Sequence, residues 1–270
     1  MRNIRPAAVA GLFYENDSSR LVRDIESLIE NVKRTPLHEY DQVKALIVPH
    51  AGYIYSGITA AAAYALLEPL RHVVSRVVLL GPVHRVPVRG LALPGTDLFR
   101  TPLGDIEVDT EACALIADLT QVVVSEQAHA PEHSLEVQLP FLQRVLDDFR
   151  ILPLAVGNAS AEEVAEVINL LWGDQKTLII ISSDLSHFHT YEEARKIDSQ
   201  TVDHVLAMRA DLTHEQACGG TPVNGMLLAA RNHGLTPHLI DFRNSGDTAG
   251  DKSRVVGYAS FAFTATDNEH

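Results

Sequence analysis

At 270 residues and a formal net charge of −13, the chain is long enough for one large α/β domain or two small ones, and its acidity argues against nucleic acid or an anionic membrane as a general partner. A hydrophobic content of 46% and a charged content of 21% exclude a disordered chain, while only two cysteines, Cys113 and Cys218, exclude a disulfide framework and point to a reducing cytoplasm. No segment reaches the roughly 20 apolar residues needed to span a bilayer, and Met1-Arg2-Asn3-Ile4-Arg5-Pro6 lacks the apolar core of a signal peptide.

In chain order, Ala45-Leu46-Ile47-Val48-Pro49 reads as a buried strand that runs into His50. Ser56 to Leu67 is rich in Ala and Leu and reads as a helix, with Ser56 as a cap and Pro69 as its end. Val77-Val78-Leu79-Leu80-Gly81-Pro82 repeats the first pattern and runs into His84. Arg85 and Arg89 beyond it are candidates for a local basic patch. Leu91 to Val108 contains Gly95, Pro102 and Gly104 and reads as a hairpin or excursion. Asp109 or Thr110 caps a short helix through Leu119, and Ser134 to Phe149 is helical in pattern but kinked or delayed by Pro140.

Ile151 to Val156 is a further strand, and Ser160 with Glu163 is a capping-box signature for a helix to about Trp172. The third apolar run, Thr177 to Ile181, leads into Ser182-Ser183-Asp184-Leu185-Ser186-His187. Helices follow at Tyr191 to Met208 and Pro222 to Asn232, and strands at Leu239 to Phe242 and Val255 to Phe263. Tyr258 to Phe263 alternates as a strand exposed on one side would. This alternation predicts an α/β fold, one domain over residues 1–270, with a mostly parallel or mixed sheet flanked by helices.

In open sheets of this kind ligands bind beyond the carboxyl ends of the strands. If the three runs are neighbours, His50, His84 and the Asp184–His187 turn meet at one edge, as material for a metal or an acid–base site. Each turn alone is equally a surface loop with an incidental histidine. Asp184 can orient His187 or cap a following helix. His133 can join the site; Ser134 can cap the next helix, with Glu136 a carboxylate in its first turn. Cys218, beside Gly219 and Gly220 and ahead of a helix, sits where backbone amides can lower its pKa, or is a buried inert thiol. Cys113 lies in an apolar helical pattern and reads as packing. His72, His129, His204, His214, His233, His238 and His270 read as surface or packing residues. GxGxxG after a strand, Walker-type, GxSxG and HExxH patterns are all absent.

The motifs in order are Arg5-Pro6 with Val9-Ala10-Gly11 and Phe13-Tyr14, Pro49-His50-Ala51-Gly52-Tyr53, Gly81-Pro82 with His84, and Thr101-Pro102-Leu103-Gly104. Glu132-His133-Ser134 with Glu136, Ser182-Ser183-Asp184 with His187, and Cys218-Gly219 with Pro222 complete them. Together they resemble the MEMO family, including its bacterial and archaeal members called AmmeMemoRadiSam system protein B. The resemblance implies a fold similar to the class III extradiol dioxygenases of the LigB type. It further implies His50, His84 and Cys218 as metal positions, His187 as an acid–base histidine with Asp184 behind it, and His133 as a substrate-side histidine. Iron(II) or copper is the expected metal, with zinc as a third choice, since a thiolate favours softer ions.

The expected function is therefore that of a cytoplasmic metal-binding oxidoreductase acting on a small molecule or peptide. The alternatives are a non-catalytic module for a peptide or small anion and a zinc-dependent hydrolase or lyase. The resemblance also suggests association with radical-SAM and AMMECR1-type proteins. In animal members the cysteine is followed by Gly-Arg-His-Pro; here Gly219-Gly220-Thr221-Pro222 stands instead, so the phosphotyrosine-peptide binding of those relatives is not carried over.

Overall fold

The three apolar runs that end in histidine-bearing turns are neighbours in one mixed sheet. The computed structural model describes residues 2–33 and 43–265. Among these the strands are β1 (Ile4–Arg5), β2 (Val43–Val48), β3 (Arg76–Pro82), β4 (Leu91–Leu93), β5 (Leu98–Thr101), β6 (Gly104–Glu107), β7 (Val122–Val124), β8 (Arg150–Val156), β9 (Thr177–Ser182), β10 (His187–His189), β11 (Leu235–Asn244) and β12 (Val255–Ala265). The helices are α1 (Ser18–Lys33), α2 (Tyr53–Tyr64), α3 (Thr110–Ile116), α4 (Glu126–His129), α5 (Leu139–Val145), α6 (Ala161–Leu170), α7 (Tyr191–Leu206) and α8 (Gly220–Asn232).

The sheet order is β10-β12-β2-β9-β3-β8-β4-β7, with β11 also paired to β12. β2, β9, β3 and β8 are mutually parallel, and β9 lies between the two strands that lead to His50 and His84. Parallel strands need both faces covered, which explains their unbroken apolar runs. Leu46, Leu79 and Ile180 face one core with α1, α2 and α5 residues such as Ile25, Ala61 and Phe141. Ile47, Val78 and Ile179 face the other, with Ile168, Val202 and Met226 of α6, α7 and α8.

Local signals act where the chain predicts them. Asp109 caps α3 by accepting the Ala112 N–H, Ser160 and Glu163 form the capping box of α6, and β5 and β6 make the hairpin within 91–108.

Three expectations are corrected. Ser56 lies inside α2 and donates its hydroxyl to Ala51 O, so the helix starts earlier, after Gly52. Pro69 sits within a 3-10 turn, Ala65–Leu70, that continues α2. In the 134–149 stretch Pro140 delays the helix as expected: a 3-10 turn, Glu136–Gln138, comes first, and α5 starts at Leu139 with Pro140 in its first turn. Tyr258 to Phe263 is buried on both faces, because β12 lies inside the sheet with α2 and α7 packed against it. Its Ala and Ser are small packing residues rather than solvent-facing ones. His270 lies outside the described residues.

Candidate metal centre

β2, β3 and β9 end level with one another, with Val48 opposite Ser182 and Leu80 opposite Ile181. His50 and His84 each follow two residues past a strand end, and Ser182 closes β9. A fourth segment reaches this edge from the side. Ser134 Oγ donates to Pro82 O at 2.8 Å rather than capping a helix, which brings its neighbour His133 to the strand ends. Gly81 permits that approach: a Cβ there would stand 2.9 Å from Ser134 Oγ.

The three imidazoles can each offer a ring nitrogen, and these nitrogens lie within 4.8 Å of one another. The ring centroids are 5.2 Å apart for His50 and His84, 5.4 Å for His50 and His133, and 4.6 Å for His84 and His133.

The hydrogen-bond network fixes the tautomer of buried His50. The Ser182 hydroxyl donates to Ser134 O at 2.6 Å and accepts from Gln138 Nε2 at 2.8 Å. Gln138 is oriented by a second bond to Pro49 O and by the Tyr64 hydroxyl on its Oε1. With its single proton committed, Ser182 Oγ can only accept from His50 Nδ1, 2.9 Å away. The ring lone pair therefore sits on Nε2. Burial lowers the His50 pKa to about 4, so the ring is neutral at neutral pH.

Glu132 does the same for the other two rings. Its carboxylate, 1% exposed, lies 2.9 Å from His84 Nδ1 and 3.2 Å from His133 Nδ1. It also accepts the backbone N–H groups of His84, His133 and Ser134 at 2.6, 2.9 and 2.9 Å. Burial opposes its charge, but the bonds from His133 and His84 outweigh burial and hold the carboxyl far below the usual range. An ionised carboxylate takes Nδ1–H from both rings and leaves each Nε2 as a donor atom, the arrangement that orients metal-ligating histidines.

Cys218 approaches from the turn ahead of α8, its sulfur 3.3 Å from His50 Nε2. Burial and the Asp184 charge push its thiol up to about 12, which corrects the expectation that nearby amides lower it. Among the described residues, His50, His84 and His133 lie within mutual ligand distance, with Cys218 beside one of them. Cys113, half-buried in α3 and pushed up to about 11 by burial, packs as the sequence suggests.

Asp184 Oδ1 accepts the His50 N–H at 2.7 Å, so this carboxylate anchors the His50 turn. Asp184 and His187 line an open groove of about 580 Å³ that runs from His133 past Phe13, Tyr55 and Arg254. A larger cleft of about 880 Å³ surrounds the opposite strand ends, near Arg76, Asp109, Arg150 and Lys176. It holds none of the three histidines, and the Arg76–Asp109 ion pair occupies part of it.

Glu132 carries one local signal in the sequence, an acid directly before a histidine, which does not reveal its task. Ser182 and Gln138 carried none. Glu136 has a different task from the one expected. It pairs with Arg5 and accepts the Ala8 and Val9 N–H groups and the Tyr14 hydroxyl. Arg5 in turn donates to His129 O and Glu132 O, binding the N-terminal segment to the histidine loop.

A family model described as Memo-like protein matches residues 5–262. Among relatives, MEMO1 family proteins of Sulfolobus acidocaldarius, Aquifex aeolicus and Methanosarcina mazei are 35%, 36% and 37% identical. The matches cover 96%, 96% and 95% of this chain and 99%, 99% and 98% of those proteins. Among solved structures, the uncharacterized protein JW3007 from Escherichia coli K12 shares the fold at a TM-score of 0.51 and 13% identity, over 82% of this chain and 99% of its own.

Proposed function

The chain belongs to the Memo-like protein family, and on that premise we propose that it is a metal-dependent oxidoreductase whose iron or copper ion is held by His50, His84 and His133. The observation that carries this reading is the commitment of all three Nδ1 atoms to Ser182 or Glu132, which leaves three imidazole lone pairs at one sheet edge. Imidazoles of this kind suit iron, copper and zinc. When bound, such an ion supplies a redox and Lewis-acid centre with positions open to oxygen or substrate.

The protein's own residues then have distinct tasks. Ser182 and Glu132 hold the ring orientations, and Asp184 holds the His50 backbone. The groove, lined by Phe13, Tyr55 and Arg254 among others, admits the substrate. His187, on the groove wall, takes or gives a proton at a ring nitrogen. The resemblance to LigB-type dioxygenases supports this division between metal-holding and proton-handling histidines.

Metal analysis of anaerobically purified, iron(II)- or copper-loaded protein tests the reading. About one ion per chain is expected, lost in the His50→Ala, His84→Ala double variant. Equal, substoichiometric metal in both proteins would overturn it. The three-imidazole set also favours a zinc-dependent hydrolase or lyase as a second reading, because three histidines with an open fourth position are a zinc arrangement. Activity restricted to zinc, with no oxygen consumed, would select that reading.

A further inference from the structure

The turn that delivers His187 is strained. Phe188 has φ of 65°, in the left-handed region that bulky side chains avoid. Its ring is 62% exposed, so burial does not compensate the strain. The strain persists because pairing on both sides fixes it. His187 opposes Val256 and His189 opposes Val255, so the register shifts by one across Phe188 and makes a bulge. Arg254, which lines the groove, lies 4.9 Å over the Phe188 ring.

A buried acid anchors the same turn from behind. Asp198 of α7 is 1% exposed and accepts the Ser186 N–H through Oδ1 at 3.0 Å. Gly257 of β12 donates its N–H to Ser186 O and accepts the Leu185 N–H, both at 2.9 Å. A Cβ on Gly257 would fall 2.0 Å from Asp198 Oδ2. Strand, helix and glycine therefore close on residues 185–189 from different sides. Strain of this kind survives only where the surroundings over-determine it, and bulges re-aim side chains next to active sites.

We propose that Asp198, Gly257 and the Phe188 bulge form one positioning device that aims His187 into the groove beside His133. The task given to His187 rests on the function proposed above; the device itself can be tested without metal or substrate. Phe188, Asp198 and Gly257 are positioning residues, acting only through His187.

The test follows the His187 imidazole by NMR pH titration, with its resonance assigned by loss in His187→Gln. Phe188→Gly relieves the backbone, whereas Phe188→Ala keeps the left-handed strain. The glycine variant should melt at a higher temperature than the alanine variant and yet shift and broaden the His187 resonance. Asp198→Ala should move that resonance in the same direction, and Asp198→Asn, which keeps an acceptor for Ser186, should restore it. An unmoved His187 resonance in both Phe188→Gly and Asp198→Ala would overturn the proposal. So would a Phe188→Gly protein that melts below Phe188→Ala, a comparison that stands even if Asp198→Ala fails to fold. A protein that passes these tests but binds no metal would refute the proposed function and leave the device intact.

Discussion

Replacing Glu132 by Gln probes the group on which two of the three imidazoles depend. The carboxylate accepts three backbone N–H groups and faces two ring Nδ1 atoms while 1% exposed. A glutamine keeps one acceptor oxygen. Placed where Oε1 stands, that oxygen retains the contacts to His84 Nδ1, His133 N and Ser134 N, and the amide NH₂ then points at the His84 N–H. One charge-assisted bond becomes a donor–donor contact and the others weaken, so the metal-free fold should lose about 3 kcal/mol. Metal affinity should fall roughly 10–100-fold, because the bonds from Oε1 that orient both rings lose their charge and the His84 turn loses its backbone anchor. Urea denaturation at neutral pH and competition against a chromophoric chelator measure the two quantities. The pH dependence has a definite sign. A carboxyl whose folded pKa lies below its ordinary 4.5 stabilises the fold above that value and loses the contribution as pH falls toward the folded pKa. The gap between wild type and Glu132→Gln should therefore narrow below about pH 4.5. An unchanged urea midpoint together with unchanged metal affinity would refute the reasoning.

Three further outcomes follow from the same geometry. His133→Ala should weaken metal binding tenfold or more while Cys218→Ala keeps the wild-type stoichiometry; the reverse order in chelator competition would move the thiol into the ligand set. Arg5→Met leaves the Glu136 carboxylate, itself 0% exposed, without its cation, and should cost about 3–5 kcal/mol in denaturant unfolding; an unaltered midpoint would contradict the role given to that pair. Burial raises Asp198 to about 6, so the folded chain holds that proton more tightly than the unfolded one, despite the Ser186 N–H and the His189 charge acting the other way. Its contribution to stability should therefore decline by about 2–3 kcal/mol as pH rises from about 4 to 6, a decline that Asp198→Asn should lack in parallel melts across that window.

The central strands were legible because full burial on both faces leaves continuous apolar runs, and because Pro49, Gly81-Pro82 and Ser182-Ser183 break them at the strand ends. His50 and His84 stood out for the same reason. The caps at Asp109 and Ser160 were legible because capping is local. What escaped is long-range. The insertion of β9 between β2 and β3 is a choice of partner between distant segments. His133 is brought to the other rings by the Ser134–Pro82 bond, the space at Gly81 and the Glu132 carboxylate that also takes the His84 N–H, and none of these leaves a periodic trace. The Cys218 amides were a true local feature, but burial and the Asp184 charge, which come from elsewhere in the fold, reverse their effect. The alternation in β12 misled because Ala259 and Ser260 are small for packing rather than polar for solvent.

X-ray absorption of the anaerobic, metal-loaded protein tests most directly whether three imidazoles converge on one ion. The outer-shell scattering pattern of three histidine rings around the metal is expected, diminished by about one ring in His133→Ala. A sulfur scatterer at about 2.3 Å in place of one nitrogen, unchanged by His133→Ala, would contradict it.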